Sequence, residues 1–176
     1  MNRILVVVDM QNDFISGSLG TKEAEQIVSH VVEKIKDYRE NGYRIFATKD
    51  THDEETYLTS QEGRKLPVLH CIKGTPGWDF PEEIGDLISL PEIWNKPNFG
   101  SLKAMEAVAK VAKETESIVE FCGLCTDICV ISNVVLLKAL APEIEVVVDS
   151  QCCAGVTPEK HEAALETMRS LQVEVI

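Results

Sequence analysis

Seven residues around two cysteines carry the clearest chemical signal. In Gly123-Leu124-Cys125-Thr126-Asp127-Ile128-Cys129 a glycine follows an apolar run, and an apolar helical pattern begins directly after it. A cysteine in the first turn of a helix has its thiolate stabilised by the positive end of the helix dipole and by free backbone N–H groups. The same N–H groups can hold the oxyanion that forms when a thiolate attacks a carbonyl. Cys129 lies in that turn and is a candidate nucleophile; a cysteine that only packs the helix against a sheet would look the same. Cys122 and Cys125 form a C-x-x-C, a spacing used in redox and zinc chemistry. No second pair stands at zinc spacing, and Cys122, at a strand end, reads as core.

Three further positions bring reactive groups. Asp9 closes an apolar strand-like run and could act as a general base for a thiol, or could simply cap a turn. Lys96 precedes Pro97, which holds it extended and suits projection into a cleft. Beside a cysteine and an aspartate it would favour both anions; alone, it reads as a solvated lysine. Asp50-Thr51-His52, with His70 further on, offers carboxylate and imidazole groups suited to zinc, iron or manganese. Alternate residues of an extended chain share a side, so Asp50 and His52 can meet one ion, with His70 joining from the following segment. Glu62 is the first choice for a fourth ligand and Glu55 a weaker one. Two ordinary loop histidines are the plainer alternative.

Alternating strand and helix patterns must position these residues. Ile4 to Val8, Tyr43 to Thr48, Ser117 to Cys122, Ile144 to Val148 and Val173 to Ile176 read as strands, several apolar on both faces. Helical spacing runs over Lys22 to Asn41, closed by Gly42, and over Ser101 to Glu114 and Thr126 to Ala141. Thr157 and Pro158 open a last helix to about Ser170. The alternation predicts an α/β fold: a doubly wound, three-layer α/β/α domain over residues 1–176 with a mainly parallel sheet. Residues 49–98, rich in Gly, Pro and polar residues, read as an insertion, and a connection of that length is usually functional. Ligands of such sheets bind beyond the C-terminal strand ends. Asp9, Lys49 and Asp50, Gly123 to Cys129, and Asp149 fall there.

Composition narrows the partners. The 176 residues carry a net charge of −12, which repels nucleic acid and anionic membranes. No stretch is apolar over the length of a membrane span. No export signal precedes the first strand, so a cytoplasmic protein is expected, and its six cysteines are not expected to form a secreted disulfide framework.

Taken together and in order, these segments resemble the cysteine hydrolases of the isochorismatase-like superfamily, most closely the nicotinamidases. Asp9-Met10-Gln11-Asn12-Asp13-Phe14 is similar to the family's opening motif, and Asp50-Thr51-His52 to its metal-binding Asp-x-His. His70 to Gly77 is similar to its histidine segment, and Lys96 with Phe99-Gly100-Ser101 to its catalytic-lysine segment. Gly123 to Val130 resembles the nucleophile loop, and Asp149 to Gly155 the closing segment. The resemblance implies a triad of Asp9, Lys96 and Cys129 that hydrolyses nicotinamide to nicotinate and ammonia through a thioester. It implies an oxyanion hole from the backbone N–H groups of Cys125 and Cys129, and a cis Leu124–Cys125 peptide. It implies one divalent ion, zinc first with iron or manganese as alternatives, on Asp50, His52, His70 and Glu62. Phe14, Trp78 and Leu124 are the implied pocket residues, and a homo-oligomer is allowed. Thr51 and Asp53-Glu54-Glu55 stand where many nicotinamidases carry an aromatic residue and another histidine. Cys125 stands where alanine is common. Isochorismatases generally lack the metal set and need no cysteine, which leaves isochorismate or another small amide as the alternative substrate. A binding or redox protein using Cys122 and Cys125 is the alternative from outside the enzymes.

Overall fold

The computed structural model describes residues 2–176. Its strands are β1 (Asn2–Val8), β2 (Arg44–Asp50), β3 (Ile93–Lys96), β4 (Ser117–Leu124), β5 (Val146–Ala154) and β6 (Glu174–Val175). They form one sheet in the order β3-β2-β1-β4-β5-β6 with every neighbouring pair parallel. The helices are α1 (Asn12–Ile15), α2 (Lys22–Glu40), α3 (Glu54–Tyr57), α4 (Gln61–Lys65), α5 (Glu82–Gly85), α6 (Leu102–Thr115), α7 (Ile131–Leu140) and α8 (Pro158–Ser170).

Side chains alternate across a strand, so β1 feeds two cores. Ile4, Val6 and Val8 pack with residues of α6, α7 and α8, whereas Leu5 and Val7 pack with residues of α1 and α2. This is the three-layer α/β/α arrangement that the alternation predicts. The helix ends follow local chemistry. Thr21 and Thr157 accept hydrogen bonds from the N–H groups of Ala24 and Lys160 at 3.0 and 3.3 Å.

Three features differ from the sequence reading. β3 lies inside the insertion at residues 49–98, where the sequence shows no strand pattern. It has only four residues and stops before Pro97, too short to show a period. β5 runs on to Ala154, so Asp149 is within a strand and not beyond its end. The expected helix from Thr126 divides: Thr126–Val130 forms a wide turn, with the Val130 N–H donating five residues back to Cys125 O at 3.1 Å, and α7 starts at Ile131.

Register aligns the chemistry along one edge. Val8 lies beside Thr48 and beside Gly123, and Asp50 lies beside Lys96. Gly123 has a φ of +119°, and a Cβ there would stand 2.1 Å from Val8 O, so only glycine lets β4 leave the sheet this close to β1.

Asp149 turns instead towards α2, where Lys34 joins it at 2.9 Å and also pairs with the buried Glu120. Tyr38 and Arg3 donate to the same Glu120 carboxylate at 2.6 and 3.1 Å. Burial disfavours the Asp149 carboxylate, but the Lys34 ammonium outweighs it and holds the group below the ordinary aspartate range. A carboxyl depressed in the fold adds stability above its unfolded value, about 3.9, and loses it as pH falls through the folded value. Lys34→Met is therefore expected to lower the melting temperature at neutral pH. The gap from wild type should narrow between about pH 5 and about pH 3 in thermal melts; a gap that ignores pH would contradict this.

Candidate active site

Four strand ends deliver the reactive groups. Asp9 follows β1 with a left-handed φ of +47°, Asp50 ends β2, Lys96 ends β3, and Cys129 lies in the turn after β4. Lys96 Nζ stands 2.6 Å from Asp9 Oδ2, 3.4 Å from Cys129 Sγ and 3.5 Å from Asp50 Oδ1. It also donates to Asn98 O at 2.9 Å. The Thr48 hydroxyl donates to Asp9 Oδ1 at 2.7 Å. Lys96 is 1% exposed and Asp9 0%, so this lysine is a core residue and not a solvated one.

Burial sets the protonation states. It opposes the Lys96 charge, but the Asp9 carboxylate first, with the Cys129 sulfur and Asp50 beside it, holds the ammonium well above the ordinary range. Burial also raises the Asp9 carboxyl, against the pull of Lys96, which makes it a stronger base than an exposed aspartate. The Cys129 thiol is pushed well up by burial and then by Asp9. A neutral thiol beside a carboxylate–ammonium pair is the resting arrangement. The helix-start argument for a free thiolate is thus outweighed, because Cys129 is only 4% exposed. The Leu124–Cys125 peptide just before the turn is cis.

Asp50 also faces a second cluster. The ligand atoms of Asp50, His52, Glu62 and His70 all lie within 4.8 Å of one another. His52 Nε2 is 3.1 Å from Asp50 Oδ2, and His70 Nε2 is 3.7 Å from Asp50 Oδ2 and 3.6 Å from Glu62 Oε1. His70 Nδ1 is 2.8 Å from Val68 O, a bond it makes as an N–H donor, which leaves Nε2 free to ligate. Two imidazoles and two carboxylates converging in this way fit a divalent cation. Glu55 is not in this group.

A cavity of 370 Å³ opens over both clusters, a size suited to a small molecule. Cys129, Asp50, His70 and Glu62 reach it, and Phe14, Leu19, Leu66, Phe99, Ile128 and Val156 give it apolar walls. Of the three expected pocket residues only Phe14 lines it. Trp78 is turned away: its indole N–H donates to Thr51 Oγ1 at 2.9 Å, and Lys49 Nζ lies 3.2 Å from its ring centroid. Leu124 is fully buried in the core on the α2 side, since it ends β4 inside the sheet. Cys125 lines the cavity and Cys122 does not; both are free thiols, and burial pushes Cys125 up to about 12.

The Isochorismatase domain matches residues 3–176, and the chain belongs to that family. A pyrazinamidase of Pyrococcus horikoshii, solved in complex with zinc, superposes with a TM-score of 0.78 at 32% identity, over 100% of this chain and 99% of that one. The nicotinamidase/pyrazinamidase of Mycobacterium tuberculosis is 27% identical over 189 residues, 99% of this chain and 98% of its own length. The nicotinamidase of Saccharomyces cerevisiae is 32% identical over 117 residues, 52% of this chain and 54% of its own.

Sequence reasoning gave Gln11, Thr48 and Asp13 no individual roles, although two of them lie in the Asp9–Phe14 motif. Asp13 Oδ2 accepts from the Cys71 N–H at 2.7 Å, beside His70. Gln11 is fully buried; it accepts from the Asp50 N–H at 2.7 Å and donates to Asp50 O at 2.8 Å and Trp78 O at 2.9 Å. That clamp fixes the shared carboxylate. Gln11→Ala should weaken binding of a divalent ion by about ten- to a hundredfold in chelator competition. Unchanged affinity would mean that β2–β3 pairing alone holds Asp50.

Proposed function

We propose that this protein is a metal-dependent cysteine amidohydrolase that converts nicotinamide, and the related ring amide pyrazinamide, to the acid and ammonia. The observation that carries the reading is the contact of Lys96 with Asp9, Cys129 and Asp50 in one buried cluster, under a cavity that also receives the metal-fitting residues. Family membership and the likeness to nicotinamidases and pyrazinamidases support the substrate class.

Asp9 takes the Cys129 thiol proton as Sγ bonds to the carboxamide carbon. The backbone N–H groups of Cys125 and Cys129 receive the oxyanion. Asp9 returns the proton to the departing nitrogen, the C–N bond breaks, and ammonia leaves a thioester on Cys129. Asp9 then deprotonates a water molecule that attacks the thioester, and the thiol and the carboxylic acid are released. Lys96 stays charged throughout and holds Asp9 and Cys129 in register. Asp50, His52, Glu62 and His70 would hold the ion, zinc in first place, and when bound it would supply a Lewis-acid contact for a ring nitrogen, orienting the amide towards Cys129. The apolar walls exclude water from the ring. The six free thiols fit a reducing compartment, which supports a cytoplasmic enzyme; among the described residues no helix is long and apolar enough to cross a membrane.

Purified protein should release ammonia from nicotinamide, lose most of that activity to a chelator, and regain it with zinc. Cys129→Ala should lose at least about a thousandfold in kcat, since a covalent route cannot proceed without its nucleophile. Release from another amide but not from nicotinamide would overturn the substrate. Full activity in Cys129→Ala would overturn the mechanism.

A further inference from the structure

We infer that His161, outside both the triad and the metal cluster, is a positioning residue for the nucleophile, acting through Thr126 to hold the turn that carries Cys129 against α8. The inference rests on the amidase reading above. The Thr126–Val130 turn replaces the four-residue hydrogen-bond ladder of an α-helix with wider five-residue bonds, a conformation that contacts from outside help to hold.

Thr126 opens the turn and is fully buried. Its carbonyl accepts from the Ile131 N–H at the start of α7, and its hydroxyl lies 2.8 Å from His161 Nδ1 in the first turn of α8. One residue thus ties the turn to two helices. A second tether lies beside it, where Asp127 Oδ1 accepts from the Val156 N–H at 2.9 Å. Gly155 makes the close approach feasible, because a Cβ there would stand 2.8 Å from His161 N and 3.0 Å from Asp127 Oδ1. Burial holds the His161 imidazole below the ordinary histidine range, against Glu162 and Asp127, so at neutral pH it is uncharged and can accept the Thr126 hydroxyl proton at Nδ1.

Cys129 follows Thr126 by three residues, and its sulfur must keep its 3.4 Å contact with Lys96. A displacement of about 1 Å at a reacting atom can cost up to about a hundredfold in rate. No direct contact of His161 with substrate is needed for this effect.

The test compares wild type with His161→Ala, His161→Asn and Thr126→Val. It reads kcat and KM for nicotinamide, melting temperature, and the rate of iodoacetamide alkylation at Cys129 by peptide mass spectrometry. His161→Ala and Thr126→Val should each lower kcat by about tenfold, slow alkylation, and leave KM within about twofold. His161→Asn places an acceptor oxygen where Nδ1 stood and should recover most of both rates. Wild-type kcat and alkylation in His161→Ala would overturn the inference. So would an Asn variant no better than Ala whose losses merely track melting temperature. If wild type releases no ammonia from nicotinamide, the substrate reading fails, and the alkylation rates alone decide the role of His161.

Discussion

Burying the ammonium of Lys96, only 1% exposed, constrains everything around it. A lone charge in a core is prohibitively costly and persists only with opposite charges and hydrogen-bond partners. Here Asp9, Asp50 and the Asn98 carbonyl supply them, and the Cys129 sulfur completes the shell. Each comes from a different strand end or the loop after it. Satisfying the lysine therefore demands a sheet in which β3, β2, β1 and β4 are neighbours with matched ends, and the strand order and register provide that.

The same lysine joins two sites that would otherwise be separate. One oxygen of Asp50 faces Lys96 while the other faces His52 and His70, so a single carboxylate belongs to the nucleophile's electrostatics and to the metal-fitting cluster. Gln11 holds that carboxylate's backbone from both sides. Lys96 and Asp9 form the charged pair, and the thiol beside them is neutral at rest; in the proposed reaction its proton passes to Asp9. An activated thiolate at a helix start would be reactive towards any electrophile. A buried thiol that depends on an adjacent base reacts fastest with an electrophile that the cavity holds beside that base.

Much of this was legible in the sequence, for identifiable reasons. The continuous apolar run of β1, the mostly apolar β4 and the helical spacing of α2 are long enough to be read, and Thr157 marks the start of α8. Asp9, Asp50 and Cys129 were legible because carboxylates and cysteine stand out after strands, whereas Lys96 was singled out through Pro97 and the order of the motifs. Glu62 could be named only as a choice among acidic residues, and the fold brings it beside His52 and His70. Four-residue β3 was lost in a polar segment, although its pairing with β2 places Lys96. The wide turn was lost because its apolar pattern continues into α7 and looks like one helix. Trp78 was misread because an aromatic residue in a site-bearing segment looks like a pocket wall, whereas its indole N–H and the Lys49 ammonium tie it into the protein. Thr126 and His161 lie 35 residues apart in sequence, and only the docking of α8 makes them neighbours.

The central claim is that Cys129 forms a covalent acyl intermediate within a cluster organised by Lys96. Acid-quenching the enzyme during turnover of nicotinamide, followed by peptide mass spectrometry, tests it directly. The account predicts an acyl adduct on the sulfur of Cys129, with none on the neighbouring Cys125. Turnover with no adduct on Cys129, or with the acyl group on Cys125, would contradict it.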